Sequence, residues 1–330
     1  MSGCGSSANA FEVDYDAPSW SPDGTSITFA ASGDLYVTKL EGKTSKHTDL
    51  GSHESVRDPV WSPDGRKIAY DVCEQGDANN WCLVSRTVVH DVETDRSVEV
   101  SRDSDYLGSC HVWSPNGKRI ALLTDLPGGK PSTASLDVIN ADGSGLERLA
   151  KAGESIDSCP AWSADGRSIA YVRGRSGSDV YIVELDGHRA RRLTYGMYVG
   201  EVTSSPDGEL IAFHHIGDDG DGYRSMRPDC AAHTSIAHDA TGFATGLVWS
   251  PDSRRIAYVI DGSNELFVAD RDGRNRHLVI RGVCCPSWSP RGNQLAFVKA
   301  DSDGHTAIYV IGADGRGLVK ASSPPEASGN

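Results

Sequence analysis

Trp20-Ser21-Pro22-Asp23-Gly24 returns unchanged at Trp61-Ser62-Pro63-Asp64-Gly65 and, in worn form, five more times. The worn copies are Trp113 to Gly117 (WSPNG), Trp162 to Gly166 (WSADG), Ser204 to Gly208 (SSPDG), Trp249 to Ser253 (WSPDS) and Trp288 to Gly292 (WSPRG). Successive copies start 41, 52, 49, 42, 45 and 39 residues apart. A period near 45 residues means one supersecondary unit repeated, as in solenoids and propellers.

The phrase is turn chemistry. Pro presets φ for the second position of a tight turn, Asp hydrogen-bonds its own backbone, and Gly supplies conformational freedom at the end. A β run follows each copy: Ile27-Thr28-Phe29, Ile68-Ala69-Tyr70, Ile120-Ala121-Leu122, Ile169-Ala170-Tyr171, Ile211-Ala212-Phe213, Ile256-Ala257-Tyr258 and Leu295-Ala296-Phe297. Alternating large and small apolar residues fit a strand buried between layers. A second strand is clearest at Asp179 to Val183 and Ala307 to Ile311, and an Asp-Gly hairpin turn follows at Asp186-Gly187, Asp272-Gly273 and Asp314-Gly315. With a third short strand such as Arg192-Leu193-Thr194 and the stretch before the next Trp, each repeat holds four strands. The fold class is therefore all-β: a seven-bladed β-propeller with four-stranded antiparallel blades.

The pattern Pro-x-Trp-Ser-Pro-Asp-Gly, Ile-Ala-Phe/Tyr, Ile-Tyr-Val and Asp-Gly followed by Arg-x-Leu-Thr resembles the repeat of the TolB-like β-propeller family, from about Ala17 to Ala321. Similar blades occur in propeller domains of prolyl-oligopeptidase-type peptidases and in oligogalacturonate lyases. The resemblance speaks strongly for the repeat and weakly for an activity, because propellers host unrelated functions.

The repeats absorb nearly all 330 residues, so the reading is one propeller over 11–322, a Gly/Ser tether over 1–10 and a tail over 323–330. Phe11 to Tyr15 alternates like a strand and is a candidate for closing the ring, although Gly317 to Lys320 also reads as an outer strand for the last blade. The net charge of −14 argues against nonspecific nucleic-acid binding, which needs clustered Lys and Arg. Met1-Ser2-Gly3-Cys4-Gly5-Ser6-Ser7 resembles the end of a bacterial lipoprotein signal, with Cys4 as the lipidated residue, but without the apolar core that precedes it. The expectation is an extracytoplasmic protein, in the periplasm or at the cell surface, that meets the membrane only through a lipid anchor.

Of eight cysteines, Cys73 and Cys82 flank a polar loop and are disulfide candidates suited to an oxidising compartment. Cys110 and Cys159 stand three residues before their Trp in neighbouring blades. They are either a second disulfide or two buried thiols. Cys285 holds the same place in blade seven, beside Cys284. A tryptophan at a fixed repeat position is a core wedge between blades, so Ser204 predicts looser packing in blade five unless another residue fills the gap.

Two places depart from regularity, which is where function collects on a scaffold. The first is blade five, whose segment from His214 to Ala240 reads as irregular. Asp218, Asp219 and Asp221 there are hard oxygen ligands that fit Ca²⁺, without the spacing of a twelve-residue calcium loop. The second is the channel mouth. If the innermost strand precedes the turn, residues three before each Trp form a ring: Ala17, Asp58, Cys110, Cys159, Glu201, Gly246 and Cys285. Asp58, Cys110, His111, Cys159 and Glu201 are its candidate binding residues.

Hydrolase chemistry finds no support: no Gly-x-Ser-x-Gly elbow occurs, and no stretch is long enough for an α/β catalytic domain. The expected function is a monomeric, non-catalytic binding module that needs no cofactor and recognises a protein or peptide through loops and channel mouth. The alternative is a metal-dependent carbohydrate lyase, as the oligogalacturonate lyase resemblance implies, with His111, His214 and His215 as available ligands.

Overall fold

A computed structural model describes residues 17–40, 43–75, 82–103, 110–125, 134–150, 156, 158–174, 178–217, 221–229, 232–238, 244–301 and 305–322. Twenty-eight strands, β1 to β28 in chain order, form seven four-stranded antiparallel sheets there, each from four consecutive strands. The first strand of each sheet is innermost. These strands are Ser19–Trp20, Glu54–Trp61, His111–Trp113, Ala161–Trp162, Val199–Ser204, Ala244–Trp249 and Val283–Trp288, and Ser19–Trp20 touches both Glu54–Trp61 and Val283–Trp288. Seven sheets therefore fan around one axis as a seven-bladed propeller.

The five-residue phrase builds the same turn each time. In six turns the Ser hydroxyl donates to the side-chain oxygen of the Asp or Asn two residues on, at 2.6–2.9 Å. That hydroxyl also accepts the backbone N–H five residues on, as from Ser26, Lys67, Arg119 and Ser168. In blade seven Arg291 occupies the Asp position, and Ser289 bonds Asn293 at 3.2 Å instead. The closing Gly sits at positive φ, +72° at Gly65, where a Cβ would lie 3.4 Å from Pro22 of the preceding blade. The contact recurs from Gly24 to Pro290, so the turns stack into a closed ring. Ser253 replaces the glycine at φ 59°, and its hydroxyl accepts the Asp207 N–H across the seam at 2.9 Å.

The tryptophans lock neighbouring blades. Four indole N–H groups reach the carbonyl just before the preceding blade's tryptophan: Trp113 to Val60, Trp162 to Val112, Trp288 to Val248, and Trp20 to Ser287, at 3.0–3.2 Å, whereas those of Trp61 and Trp249 are buried without a hydrogen-bond partner. The bond from Trp20 joins blade one to blade seven. Outer contacts reinforce that seam, with the Thr44 and Ser322 hydroxyls 2.9 Å apart. Blade seven takes its own fourth strand, Val319–Ser322, two residues beyond the expected start. The proposed closing strand Phe11 to Tyr15 lies outside the described residues.

Blade five differs from the irregular excursion expected. Gly222–Met226 and His233–His238 are paired strands of an ordinary sheet. The pattern there is short and interrupted by Pro228, but both faces of the strand are covered: Tyr223 packs against blade six and Met226 against blade four, with Arg224 partly exposed. The seam that lacks a tryptophan at Ser204 is filled by Met197 and Met226, packed with Val202, Phe213, Val180 and Leu193. Methionine is unbranched and adapts to gaps that a rigid ring leaves.

Hydrogen bonds from the turn hydroxyls, together with backbone N–H groups, hold Asp23, Asp165 and Asp252 below the ordinary carboxylate range. At Asp64 and Asp207 burial opposes this, but the same bonds prevail. A carboxylate with a depressed folded pKa contributes stability above the unfolded value of about 3.9 and loses it as pH falls through the folded value. Urea midpoints are accordingly expected to hold from pH 7 to about pH 5 and then drop, less steeply in an Asp64→Asn/Asp165→Asn variant. An unchanged acid limb in that variant would refute the role of the turns.

Candidate functional site

The residues three before each tryptophan lie on the innermost strands or just ahead of them. Four of these strands are bulged there: the register shifts between Arg57 and Val60, Val199 and Val202, Thr245 and Val248, and Cys284 and Ser287. Three bulges carry the ring residue at positive φ, Asp58 at 46°, Gly246 at 60° and Cys285 at 59°. A bulge bends its strand and re-aims a side chain, and such bulges collect beside functional sites. In blades one, three and four the inner strand is two or three residues long, and Ala17, Cys110 and Cys159 precede it. Cys110 and Cys159 are joined by a disulfide, Cα atoms 5.2 Å apart, which ties blade three to blade four.

Around Asp58 the structure gathers groups that spacing did not reveal. His111 opens the inner strand of blade three, and its Nδ1 lies 3.2 Å from Oδ1 of Asp71 in blade two, both side chains buried. That oxygen also accepts the Thr87 hydroxyl at 2.7 Å. Neither ring nitrogen of His111 makes a well-aligned hydrogen bond, so the imidazole and the carboxylate meet as a close buried approach. Burial alone would lower the His111 pKa, but Asp71, and then Asp58, outweigh it and the value is raised. Asp71 was missed because it sits mid-strand in Ala69-Tyr70-Asp71-Val72, where an outward-facing polar residue is the usual reading. The imidazole that meets it, His111, belongs to another blade.

Glu201 stands apart, on the seam of blades five and six. Burial raises its pKa, against the N–H groups of Leu247 and Gly246 that favour its charge. In blade five Asp221 accepts the Gly217 N–H at 2.8 Å, while Asp218 and Asp219 lie outside the described residues. His214 packs on Tyr223 with ring centres 5.2 Å apart, and burial lowers its pKa. Cys4 is outside the described residues, as is the side chain of Cys82; Cys73 is disulfide-bonded. Cys284 and Cys285 hold their sulfurs 3.0 Å apart.

Two surface features complete the picture. Inner strands run toward the turns and second strands return, so residues before the one and after the other share the face opposite the turns. On that face of blade five, Tyr195, Tyr198 and Ile216 are 69%, 54% and 47% exposed. Ile216 donates its N–H to the Tyr198 carbonyl at 3.0 Å, and Tyr198 holds φ at 46°. On the turn face, a cleft of about 480 Å³ opens at the seam of blades seven and one, lined by Trp20, Gly24, Lys39, Pro290, Arg291 and Gln294 among others.

These features define a seven-bladed propeller of the tryptophan-turn class, with carboxylates on two of its inner-ring bulges and an aromatic rim on one blade. A profile of the TolB beta propeller domain matches residues 46–240, and the chain belongs to that family. It is 35% identical over 139 residues to the Tol-Pal system protein TolB of Bordetella pertussis, a match over 38% of this chain and 31% of that protein. The chain thus spans about a third of the length of the TolB proteins it matches. Among solved structures it resembles the β-propeller domain of the trilobed protease from Pyrococcus furiosus, described as having an open velcro topology, with TM-score 0.68, 13% identity and coverage of 94% and 97% of the two chains. It also resembles an oligogalacturonate lyase in complex with manganese, with TM-score 0.58, 18% identity and coverage of 89% and 76%. At these identities the two structures attest the fold alone.

Proposed function

We propose that the chain is a non-catalytic, extracytoplasmic binding module that holds a protein or peptide segment on the face opposite the turns, between the blade-five rim and the channel mouth. The exposed Tyr195, Tyr198 and Ile216 carry this reading. Large rings that stay exposed, one on a backbone conformation unfavourable for a bulky residue, are characteristic of contact hot spots. A preformed scaffold keeps the ordering entropy of binding small. The Tol-Pal system name of the Bordetella relative supports a protein partner. Disulfide bonding at Cys110, Cys159 and Cys73 supports an oxidising compartment, and Cys4 is the proposed lipid anchor at the end of a 1–10 tether to an 11–322 propeller.

The test begins with the partner captured by crosslinking in the native envelope, then purified and titrated calorimetrically. Tyr195→Ala/Tyr198→Ala is expected to weaken its binding about 10- to 30-fold with an unchanged melting temperature. Equal affinity for the variant removes blade five from the reading. The lyase alternative is disfavoured by charge, since the ring positions include the carboxylic acids Asp58 and Glu201 and no Lys or Arg, and a uronate substrate is anionic. Accumulation of unsaturated uronate from oligogalacturonate would reverse that preference.

A further inference from the structure

At the outer part of the seam between blades one and two, His47, His90 and Asp95 bring one ligand atom each to within 4.8 Å of one another. His47 directly follows the fourth strand of blade one, Thr44–Lys46, and its N–H bonds the Leu35 carbonyl at 2.8 Å. His90 lies near the end of the third strand of blade two, Cys82–Asp91, and Asp95 in the hairpin that follows, at φ 56°. The three come from two blades, so their meeting depends on how the blades pack.

The centre of the group is His90. Its side chain is 2% exposed, its Nδ1 lies 3.1 Å from the Ser97 hydroxyl, and its Nε2 is buried without a hydrogen-bond partner. That Nε2 faces Oδ1 of Asp95 at 3.5 Å. Ligands about 2.0–2.1 Å from a tetrahedral zinc ion are roughly 3.4 Å apart, so this pair already has the edge length of such a site. The His47 ring stands 5.4 Å from the His90 ring at 73°, nearly edge to face, is half-buried, and holds its Nε2 2.9 Å from the Ser45 hydroxyl. A ring nitrogen anchored to Ser97 fixes the His90 ring so that the other nitrogen is presented as a ligand, the usual outer-shell arrangement.

We propose that His47, His90 and Asp95 form a site for a borderline divalent ion of the zinc type, which clamps blade one to blade two. Two imidazoles and one carboxylate suit zinc, or its stand-in cobalt, and do not suit calcium or magnesium, which prefer oxygen ligands throughout. With three protein ligands, and Asp95 exposed, the fourth position is left to water.

The full chain, stripped with chelator, is titrated with Co²⁺ followed by absorption and with Zn²⁺ followed by calorimetry. Both titrations use a background in which Cys4, Cys230, Cys284 and Cys285 are replaced by serine, so that thiols do not contribute. The expected result is one equivalent with tetrahedral cobalt bands that zinc displaces, and a melting temperature several degrees higher with zinc. His47→Ala and Asp95→Asn, at sites outside the deep core, are each expected to weaken the metal at least tenfold while the metal-free melting temperature stays put. Ser97→Ala is expected to weaken it less. Absence of saturable binding at micromolar metal, or an equivalent that survives His47→Ala/Asp95→Asn, overturns the proposal.

Discussion

Replacing Cys110 and Cys159 by alanine is expected to lower unfolding free energy by about 4 kcal/mol at 25 °C. The bond joins residues 49 apart, one full repeat, and so removes from the unfolded chain a loop as long as a blade. Both cysteines are only half-buried, so the substitution leaves little cavity to add to the loss. Blades three and four have inner strands of three and two residues that pair only within their own sheets, so no strand ladder crosses the seam the disulfide spans. Urea unfolding of the double alanine variant beside wild type measures it. A loss below about 1 kcal/mol would show that the indole bond from Trp162 to Val112, with its packing, already secures the seam.

The second large effect is expected at His111. His111→Leu keeps the volume but leaves the buried Asp71 carboxylate, which also accepts the Thr87 hydroxyl, without its imidazole partner, at a loss of about 3 kcal/mol. Removing both members, His111→Leu/Asp71→Leu, is expected to cost much less than the sum of the single changes, because no unpaired charge stays behind. The loss depends on pH in a definite direction. The folded pKa of His111 is raised, so its contribution is complete below the unfolded value of about 6.5 and fades as pH rises through the folded value. The gap between wild type and His111→Leu should therefore be wider at pH 6 than at pH 9. Equal gaps at the two pH values, or additive single losses, would mean that His111 acts by packing rather than by charge.

The propeller was legible because its signal is local and repeated. Ser-x-Asp with a following glycine forms its turn from hydrogen bonds within five residues, whichever blade it belongs to, and the Ile-Ala-Phe/Tyr run announces its buried faces in three. Blade five was misjudged because its third and fourth strands, Gly222–Met226 and His233–His238, depend on neighbouring walls for burial. The clue to its missing tryptophan was nonetheless present: beyond Met1, the chain's methionines are Met197 and Met226, and both sit at that seam. Position three before the tryptophan could be counted off the chain. That it is bulged in blades two, five, six and seven could not, since a bulge reflects the partner strand as much as its own residues.

Order along the chain thus settled blade number, strand order and the tryptophan wedges, all products of interactions that span a few residues or recur every repeat. Contacts between blades settled the rest: which cysteines join, that Asp71 meets His111, and that His47 finds His90 and Asp95. These partners lie 40 to 49 residues apart in separate sheets. Their approach is fixed by the angle and spacing at which seven packed sheets close around an axis, a property of the whole ring that no single repeat encodes.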